Sequence, residues 1–193
     1  MIKKKIGLYF GSFNPIHVGH LIIASHIYNN SHLDQIWFVV SPLNPFKKKI
    51  NLLDNYSRLN LVNIAIKNFS FFKASNIEFS LPIPSYTINT LEYIKEKFPE
   101  YEFSLLMGKD NLSNFKKWKN YEIIIKNHNI FVYPRLNCKR SILEDHKNIK
   151  LIDAPIIEIS SSMIRSNIKS KIDFRAYLPD EVWNYIDEMN FYK

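Results

Sequence analysis

Apolar residues follow two spacings along this chain, and segments with one spacing alternate with segments with the other. Short apolar runs, typical of buried strands, are separated by stretches in which apolar residues recur every three or four positions, as in helices. Strands are predicted at residues 5–10, 35–40, 72–77, 102–107, 129–133 and about 150–152, and helices at 19–28, 55–68, 84–98, 160–168 and 180–189. Strands that alternate with helices predict an α/β fold with a mainly parallel sheet flanked by helices.

Three side chains stand where they are expected to cap predicted helices. Asp54 precedes the helix at 55–68, and Ser85 and Thr87 lie at the start of the helix at 84–98. Short side chains with an oxygen atom accept hydrogen bonds from the unpaired N–H groups of a first helical turn. We therefore expect these two helices to begin at those residues.

Length and composition limit the domain organisation and the class of protein. The 193 residues are 46% hydrophobic, which suits a single domain over residues 1–193 with a small helical part at about 160–193. No apolar run approaches the ~18 residues of a membrane span, and the N-terminus does not resemble a signal peptide. We therefore expect a cytoplasmic protein with no membrane partner. The single cysteine, Cys138, excludes an internal disulfide and a CxxC metal site.

The formal net charge of +8 makes nucleic-acid binding an alternative function, because clustered lysines neutralise phosphates. The lysines, however, are scattered in short runs at 3–5, 47–49 and 116–119, and no single helix collects them. We therefore attribute the charge to overall composition, and expect small anionic substrates with no nucleic acid. The same data leave open a monomer or a homo-oligomer.

Glycine is scarce in this chain and concentrated in two places. Of the four glycines, Gly7, Gly11 and Gly19 fall within the first twenty residues, and the fourth is Gly108. A chain with so little glycine is expected to keep it where the backbone turns sharply or a ligand approaches closely. These two places are therefore where a binding site is expected.

The densest group of candidate binding residues is GSFNPIHVGH, at residues 11–20, between the first predicted strand and helix. In an open parallel sheet, ligands bind beyond the carboxyl ends of the strands, where the next helix offers N–H groups to an anion. His17 and His20 are neighbours if they lie on a helix, and no carboxylate or cysteine nearby completes a metal site. The pair therefore favours an oxyanion over a metal ion. The backbone donors expected around that anion are those of Gly11, Ser12 and Phe13.

A second group, ISSSMIR at residues 159–165, begins the penultimate predicted helix. Consecutive serines there provide hydroxyl and backbone donors, and the planar guanidinium of Arg165 suits phosphate. The sequence contains neither a Walker loop nor a GxGxxG loop. Two helix ends directed at phosphate, one near each terminus, predict a nucleoside triphosphate that is bound from two sides.

These two groups together resemble the HxGH nucleotidyltransferase superfamily, and within it the bacterial nicotinate mononucleotide adenylyltransferases of NAD biosynthesis. Four further segments carry the narrower resemblance, in family order over nearly the whole chain. They are SPLNPFK (41–47), PSYTINTL (84–91), LLMGKDNLSNFKKW (105–118) and YLPDEVWNYI (177–186). The resemblance implies a Rossmann-like nucleotidyltransferase fold.

The resemblance also implies a reaction and a site. The 5′-phosphate of nicotinate mononucleotide would attack the α-phosphate of ATP, giving deamido-NAD and pyrophosphate, with Mg²⁺ held by the ATP phosphates and not by the protein. Trp118 would stack on the pyridine ring. By motif, the catalytic residues are His17, His20, Lys47 and Arg165; the ATP-binding residues are Gly11, Ser12, Phe13, Gly108, Asp110, Ile159, Ser160 and Ser161; the acceptor-binding residues are Asn44, Tyr86, Thr87 and Trp118.

The chain departs from the family pattern at three positions, and two alternative acceptors remain. Phe10, Asn14 and Phe46 stand where many relatives have glycine, aspartate and histidine. Asn14 keeps the turn-forming geometry but removes a charge, which argues against a role for a carboxylate there. Loss of an imidazole at residue 46 places more weight on Lys47. The alternative acceptors are nicotinamide mononucleotide and, with less support, phosphopantetheine, whose enzymes are usually shorter and carry threonine in place of His17.

Overall fold

The computed structural model describes residues 3–43 and 52–193, and a parallel sheet forms its centre. The strands are β1 (Lys4–Gly11), β2 (Gln35–Val40), β3 (Phe72–Ser75), β4 (Tyr101–Gly108), β5 (Ile130–Tyr133) and β6 (Ile149–Leu151). Every neighbouring pair is parallel, and the spatial order is β3-β2-β1-β4-β5-β6. The predicted α/β class and the Rossmann-like fold are thereby confirmed.

Helices cover both faces of this sheet. They are α1 (Val18–Asn29), α2 (Asn55–Ile66), α3 (Thr87–Lys97), α4 (Lys109–Ser113), α5 (Tyr121–Asn127), α6 (Ser161–Lys169) and α7 (Asp180–Glu188). Short 3₁₀ turns lie at Ile77–Ser80, Phe115–Lys117, Ile142–Asp145 and Arg175–Tyr177. Among the described residues, no helix is both long and apolar enough to cross a membrane.

Two apolar cores lie on opposite faces of the sheet, because successive residues of a strand point to opposite sides. In β2, Phe38 and Val40 join the core beneath α1, α2, α6 and α7, whereas Trp37 and Val39 join the core beneath α3 and α5. Both faces of the strand are therefore buried, which explains why QIWFVV reads as an unbroken apolar run.

The start of α3 corrects one sequence prediction, and the start of α2 confirms another. Asp54 caps α2 as expected, accepting the N–H groups of Tyr56 and Ser57 at 3.0 and 2.9 Å. Helix α3, however, begins at Thr87, its N-cap is Tyr86, and no side chain caps it. The predicted capping roles of Ser85 and Thr87 are therefore wrong. Ser85 is buried and lines a pocket, and its hydroxyl has no hydrogen-bond partner in the described part of the chain.

Other differences concern short elements. The strand predicted at 72–77 ends at Ser75, because the chain there enters a 3₁₀ turn. Helices α4 and α5 are absent from the sequence predictions. Helix α5 has only seven residues, and three of them are consecutive isoleucines, whose branched side chains favour strands. Its short length and strand-favouring composition explain why the sequence pattern does not predict it.

The order of the strands determines where a ligand can bind. From β1 the chain proceeds to β2 and β3 on one side, and β4, β5 and β6 follow on the other side. The connections after β1 and β4 therefore leave in opposite directions, and a crevice opens at the carboxyl ends of these two strands. Gly11 ends β1 and Gly108 ends β4, so both glycine neighbourhoods that the sequence indicates lie at this edge.

Candidate active site

The loop after β1 turns sharply at Phe13, and not at a glycine. Phe13 has a φ of 43°, in the left-handed region, whereas no glycine of the chain has a positive φ. A non-glycine residue in that region is strained by roughly 1–3 kcal/mol. The Phe13 ring offsets the strain by burial, at 2% exposure, with edge-on contacts to Tyr9 and His20. Gly11 is required for a different reason, since a Cβ there would lie 2.7 Å from this ring.

The two histidines meet at the start of α1, as their spacing predicts. His17 is the N-cap residue, and His20 follows in the first turn. Their ring centroids are 3.7 Å apart, and the backbone N–H of His17 donates to Nδ1 of His20 at 3.2 Å. Because Nδ1 of a neutral His20 accepts this bond, the ring proton resides on Nε2. The His20 ring is thus oriented by the backbone, with Nε2 as its donor.

His17 is held in its neutral form. Its side chain is 4% exposed, and burial, together with the positive charge of Arg135, lowers the pKa of His17 to about 3. Its Nδ1 has no hydrogen-bond partner among the described residues. Gly19 makes this packing possible, because a Cβ there would lie 3.1 Å from Nδ1 of His17.

Helix α6 joins the loop after β1 from the other end of the chain. The hydroxyl of Ser161 donates to the carbonyl oxygen of Pro15 at 2.9 Å, and Nη1 of Arg165 donates to that of Asn14 at 2.7 Å. Ser160 caps the helix by accepting the N–H of Met163. The two groups of residues that the sequence indicates are separated by about 140 positions, and here they form one site.

These contacts enclose a cleft of about 600 Å³, called the phosphate cleft below. Its lining is Ser12, Asn14, His17, His20, Ser41, Leu43, Leu52, Arg135, Ile159, Ser160, Ser161, Ser162 and Arg165. Among the described lining residues, the side chains that carry a formal charge are two arginines, and hydroxyl and imidazole groups supply most of the other polar atoms. This chemistry suits a polyanion.

Arg135 belongs to the phosphate cleft although the sequence analysis does not single it out. Its Nη1 donates to the carbonyl oxygen of Ile157 at 3.0 Å, and its guanidinium lies 5.3 Å from the ring centre of Tyr133. Asp110 is exposed and lies 3.8 Å from Nε of Arg135. The signal in the sequence is its position two residues after the predicted strand at 129–133, but only the order of the strands shows that this strand ends at the cleft.

Four predicted ATP-binding residues lie beside the phosphate cleft without lining it. They are Gly11, Phe13, Gly108 and Asp110. Gly108 gives Arg135 room, since a Cβ on residue 108 would lie 3.3 Å from Cγ of Arg135. The roles of all four as direct ligands of ATP stay predictions.

A second, smaller cavity of about 80 Å³ adjoins the phosphate cleft and is called the aromatic pocket below. Three of the predicted acceptor-binding residues, Tyr86, Thr87 and Trp118, line it together. The indole of Trp118 is half-buried and packs against Phe115 at a centroid distance of 5.2 Å. Ser41 lines both cavities. The two cavities therefore share a wall, at the end of β2.

Glu78 is a buried carboxyl group in the aromatic pocket that the sequence analysis misses. It is 1% exposed, its Oε1 accepts the hydroxyl of Thr90 at 2.7 Å, and its Oε2 has no partner among the described residues. Burial raises the pKa of Glu78, although the hydrogen bond from the hydroxyl of Thr90 opposes this rise. Burial therefore disfavours the charged form of this side chain. In the sequence, Glu78 falls after an apparent strand and has no distinguishing neighbours.

Two predicted site residues cannot be placed. Lys47, expected to be catalytic, and Asn44, expected to bind the acceptor, lie outside the described residues, as does Phe46. Their roles stay predictions. Within residues 3–43 and 52–193, no group of three or more His, Cys, Asp or Glu side chains is arranged to hold a metal ion.

Comparisons with known proteins give one consistent result. A model of the family described as Cytidylyltransferase-like matches residues 8–167. A "Probable nicotinate-nucleotide adenylyltransferase" of Flavobacterium psychrophilum is 59% identical over 98% of this chain and 99% of its own length. A protein of the same name from Bacteroides thetaiotaomicron is 41% identical over 96% and 92%, respectively. The solved nicotinic acid mononucleotide adenylyltransferase of Plasmodium falciparum, complexed with NaAD, is 26% identical with a TM-score of 0.84, covering 98% of this chain and 97% of that one.

The buried, neutral His17 predicts how stability depends on pH. An unfolded histidine binds a proton below its ordinary pKa of 6.5, whereas folded His17 does so only near pH 3. The free energy of unfolding therefore falls as the pH is lowered through this range. Between pH 6.5 and pH 5, wild type should lose about 1–2 kcal/mol more than His17→Asn, in urea unfolding at each pH. His32→Asn, which removes an exposed histidine, should follow wild type, and parallel curves for wild type and His17→Asn would contradict the assignment.

Proposed function

The chain belongs to the cytidylyltransferase-like family, and we propose that within it the chain acts as a nicotinate-nucleotide adenylyltransferase. It transfers the adenylyl group of ATP to nicotinate mononucleotide and releases deamido-NAD and pyrophosphate. The observation that carries this proposal is that a phosphate cleft and an aromatic pocket share Ser41 as a wall. A triphosphate and a pyridine nucleotide bound in the two cavities would meet at that wall. The names of the relatives favour nicotinate over the alternative acceptors.

The phosphate cleft supplies donors and positive charge to the transferring group. An oxygen of the acceptor 5′-phosphate attacks the α-phosphorus of ATP, and the bond from that phosphorus to the bridging oxygen of the β-phosphate breaks. Nε2–H of His20 and the guanidinium of Arg165 are suited to the charge that moves onto the phosphoryl oxygens. No covalent nucleophile is required, because positioning and electrostatic stabilisation account for most catalysis of phosphoryl-type transfer.

Helix α6 is suited to the pyrophosphate that leaves. Ser160 and Ser161 stand at its N-terminus, where backbone N–H groups and the helix dipole favour an anion. Arg165 is fixed by its bond to Asn14 in the same cleft. Lys47 would add charge near the reacting phosphates.

The residues of the cleft fit a magnesium ion that ATP carries with it. Mg²⁺ binds oxygen ligands, commonly phosphates and water with one or two carboxylates, and no carboxylate lines the described part of the cleft. We propose that phosphate oxygens and water would hold the ion. Arg135, Arg165 and the two histidines would bind the remaining phosphate oxygens. When bound, the ion supplies neutralisation of negative charge on the triphosphate.

The aromatic pocket is suited to the acceptor. The indole of Trp118 is flat and half-buried, and an aromatic ring stacks well on a pyridine ring. Tyr86 and Thr87 lie at the N-terminus of α3, where backbone N–H groups are available to a carboxylate. Burial disfavours the charged form of Glu78, and this reduces its repulsion of that carboxylate.

The same proposal extends to the setting of the protein. Residues 1–193 would form one nucleotidyltransferase domain, with the part from about 160 supplying the second phosphate-binding helix. ATP and nicotinate mononucleotide are metabolites of the cell interior, which supports a cytoplasmic enzyme. Both cavities are built from one chain, so a monomer or a homo-oligomer is compatible with the site.

Pyrophosphate release tests the function. Purified protein with ATP and Mg²⁺ should release pyrophosphate rapidly with nicotinate mononucleotide and far more slowly with nicotinamide mononucleotide or phosphopantetheine. Equal use of the two pyridine nucleotides would keep the reaction but contradict selectivity for a carboxylate. Absence of release with all three acceptors would contradict the proposed function.

His20→Ala should lower kcat by about 10²–10³-fold, because it removes an oriented donor that stabilises charge in the transition state. The thermal unfolding temperature should stay close to that of wild type, since the His20 side chain is half-buried. His32→Ala is the matched control, with an exposed histidine outside both cavities, and should retain wild-type kcat. A near-normal kcat in folded His20→Ala would contradict the assigned role.

Trp118→Ala should mainly raise the KM for nicotinate mononucleotide, because the pyridine ring loses its stacking surface. A rise of about 5–10-fold corresponds to the ~1 kcal/mol of one aromatic pair, with the KM for ATP unchanged. Trp183→Ala removes a half-buried indole on α7, and should leave the acceptor KM as in wild type. An unchanged acceptor KM in Trp118→Ala would exclude stacking.

A further inference from the structure

Arg58 is a completely buried arginine that the proposed reaction does not use. Its side chain is 0% exposed and lies near the start of α2. In residues 3–43 and 52–193, no carboxylate lies within ion-pair distance of its guanidinium. A cation in this position opposes the helix dipole and gives up its hydration. Its surroundings must therefore compensate.

The compensation comes from five oxygen acceptors, one for each N–H of the guanidinium group. They are the carbonyl oxygens of Leu53, Ser12, Ser41 and Pro42, at 3.0, 2.7, 2.8 and 3.5 Å, and Oδ1 of Asn55, at 2.6 Å. All five donors point in a fixed planar fork, whereas a lysine offers three donors from one nitrogen. The arrangement is therefore specific for arginine and not simply for a positive charge.

One nitrogen of this group connects the ends of two strands. Nη1 of Arg58 donates both to the carbonyl of Ser12, after β1, and to that of Ser41, after β2. Ser12 lines the phosphate cleft, and Ser41 lines both cavities. The N–H of Ser41 also donates to the carbonyl of Gly11 at 2.9 Å. The guanidinium therefore sets the spacing between the loop of the phosphate cleft and the wall shared with the aromatic pocket.

We propose that Arg58 is a positioning residue for adenylyl transfer, acting through the backbone of Ser12 and Ser41. This inference rests on the proposed function. Each substrate has its own contacts within its own cavity, so loosening the shared wall leaves both bound. What changes is the approach of the acceptor phosphate to the α-phosphate. A misplacement of about 1 Å between reacting groups lowers the rate by about 100-fold.

Arg58→Lys tests the proposal, because it keeps the charge and removes at least two of the five donors. We expect kcat to fall by about 10–100-fold, with the KM values for ATP and nicotinate mononucleotide within about threefold of wild type. Activity is expressed per folded molecule, with the folded fraction taken from near-UV circular dichroism. The matched control is Arg175→Lys, whose guanidinium is exposed and pairs with Asp173 at 2.6 Å. It should have wild-type kcat.

Asn55→Ala decides the matter where Arg58→Lys does not fold. It leaves the guanidinium in place and removes one acceptor, so kcat should fall by about fivefold, the rate equivalent of one ordinary hydrogen bond. Amide hydrogen exchange at Ser41 should be faster than in wild type in Arg58→Lys and in Asn55→Ala, wherever the variant folds. This exchange reports the spacing of the two strand ends without reference to activity.

The outcomes separate this inference from the function on which it rests. A wild type that transfers no adenylyl group to any acceptor overturns the proposed function before a variant is compared. If wild type is active, and the folded variants have normal kcat and normal amide exchange at Ser41, the role of Arg58 alone is overturned. A rise in KM with kcat unchanged also overturns it, because that result would place Arg58 in substrate binding.

Discussion

Three hydrogen bonds to the carbonyl groups of one loop hold the candidate site together. The acceptors are Ser12, Asn14 and Pro15, and their donors are Arg58, Arg165 and Ser161, at 2.7, 2.7 and 2.9 Å. A carbonyl oxygen that faces a phosphate repels it, so a loop that binds an anion must direct its oxygen atoms elsewhere. Here donors from α2 and α6 occupy them. The same bonds fix two distant parts of the chain on either side of the loop.

The side chain of Asn14 connects the same loop to the C-terminal end of the chain. Its Oδ1 accepts the N–H of Leu53 at 3.2 Å and the hydroxyl of Tyr192 at 2.8 Å. The family resemblance implies aspartate at this position, and both contacts need only an acceptor oxygen, which the amide also provides. The neutral residue therefore keeps the loop in place. It also removes a negative charge beside a cleft that must accept phosphates, so the substitution is compatible with the proposed reaction.

The sequence predicts the parts of this site that depend on local spacing, and misses those that depend on the backbone of distant segments. His17 and His20 are found because three residues on a helix place two rings together, and Ser160 and Arg165 are found because a helix N-terminus has a recognisable composition. Arg58 is missed because its partners are mostly carbonyl groups, which every residue has and which no motif distinguishes. Arg135 and Glu78 become significant only when the fold shows which element ends border the two cavities. The order of the strands, which places all of them at one edge, is likewise a property of the assembled fold.

The charges that line the phosphate cleft are suited to a polyanion. The described charges of the phosphate cleft are guanidinium groups, and Arg135 contributes to keeping His17 uncharged. Asp110, beside the cleft, pairs with Arg135 at 3.8 Å, and no carboxylate is among the described residues that line the cleft itself. A bound triphosphate brings negative charge into the cleft and favours the protonated form of an imidazole beside it. Binding of the anion and protonation of His17 are therefore linked, and each strengthens the other by the same free energy. His20 differs, because the backbone already directs its donor, and its contribution to the transition state does not require a change of charge.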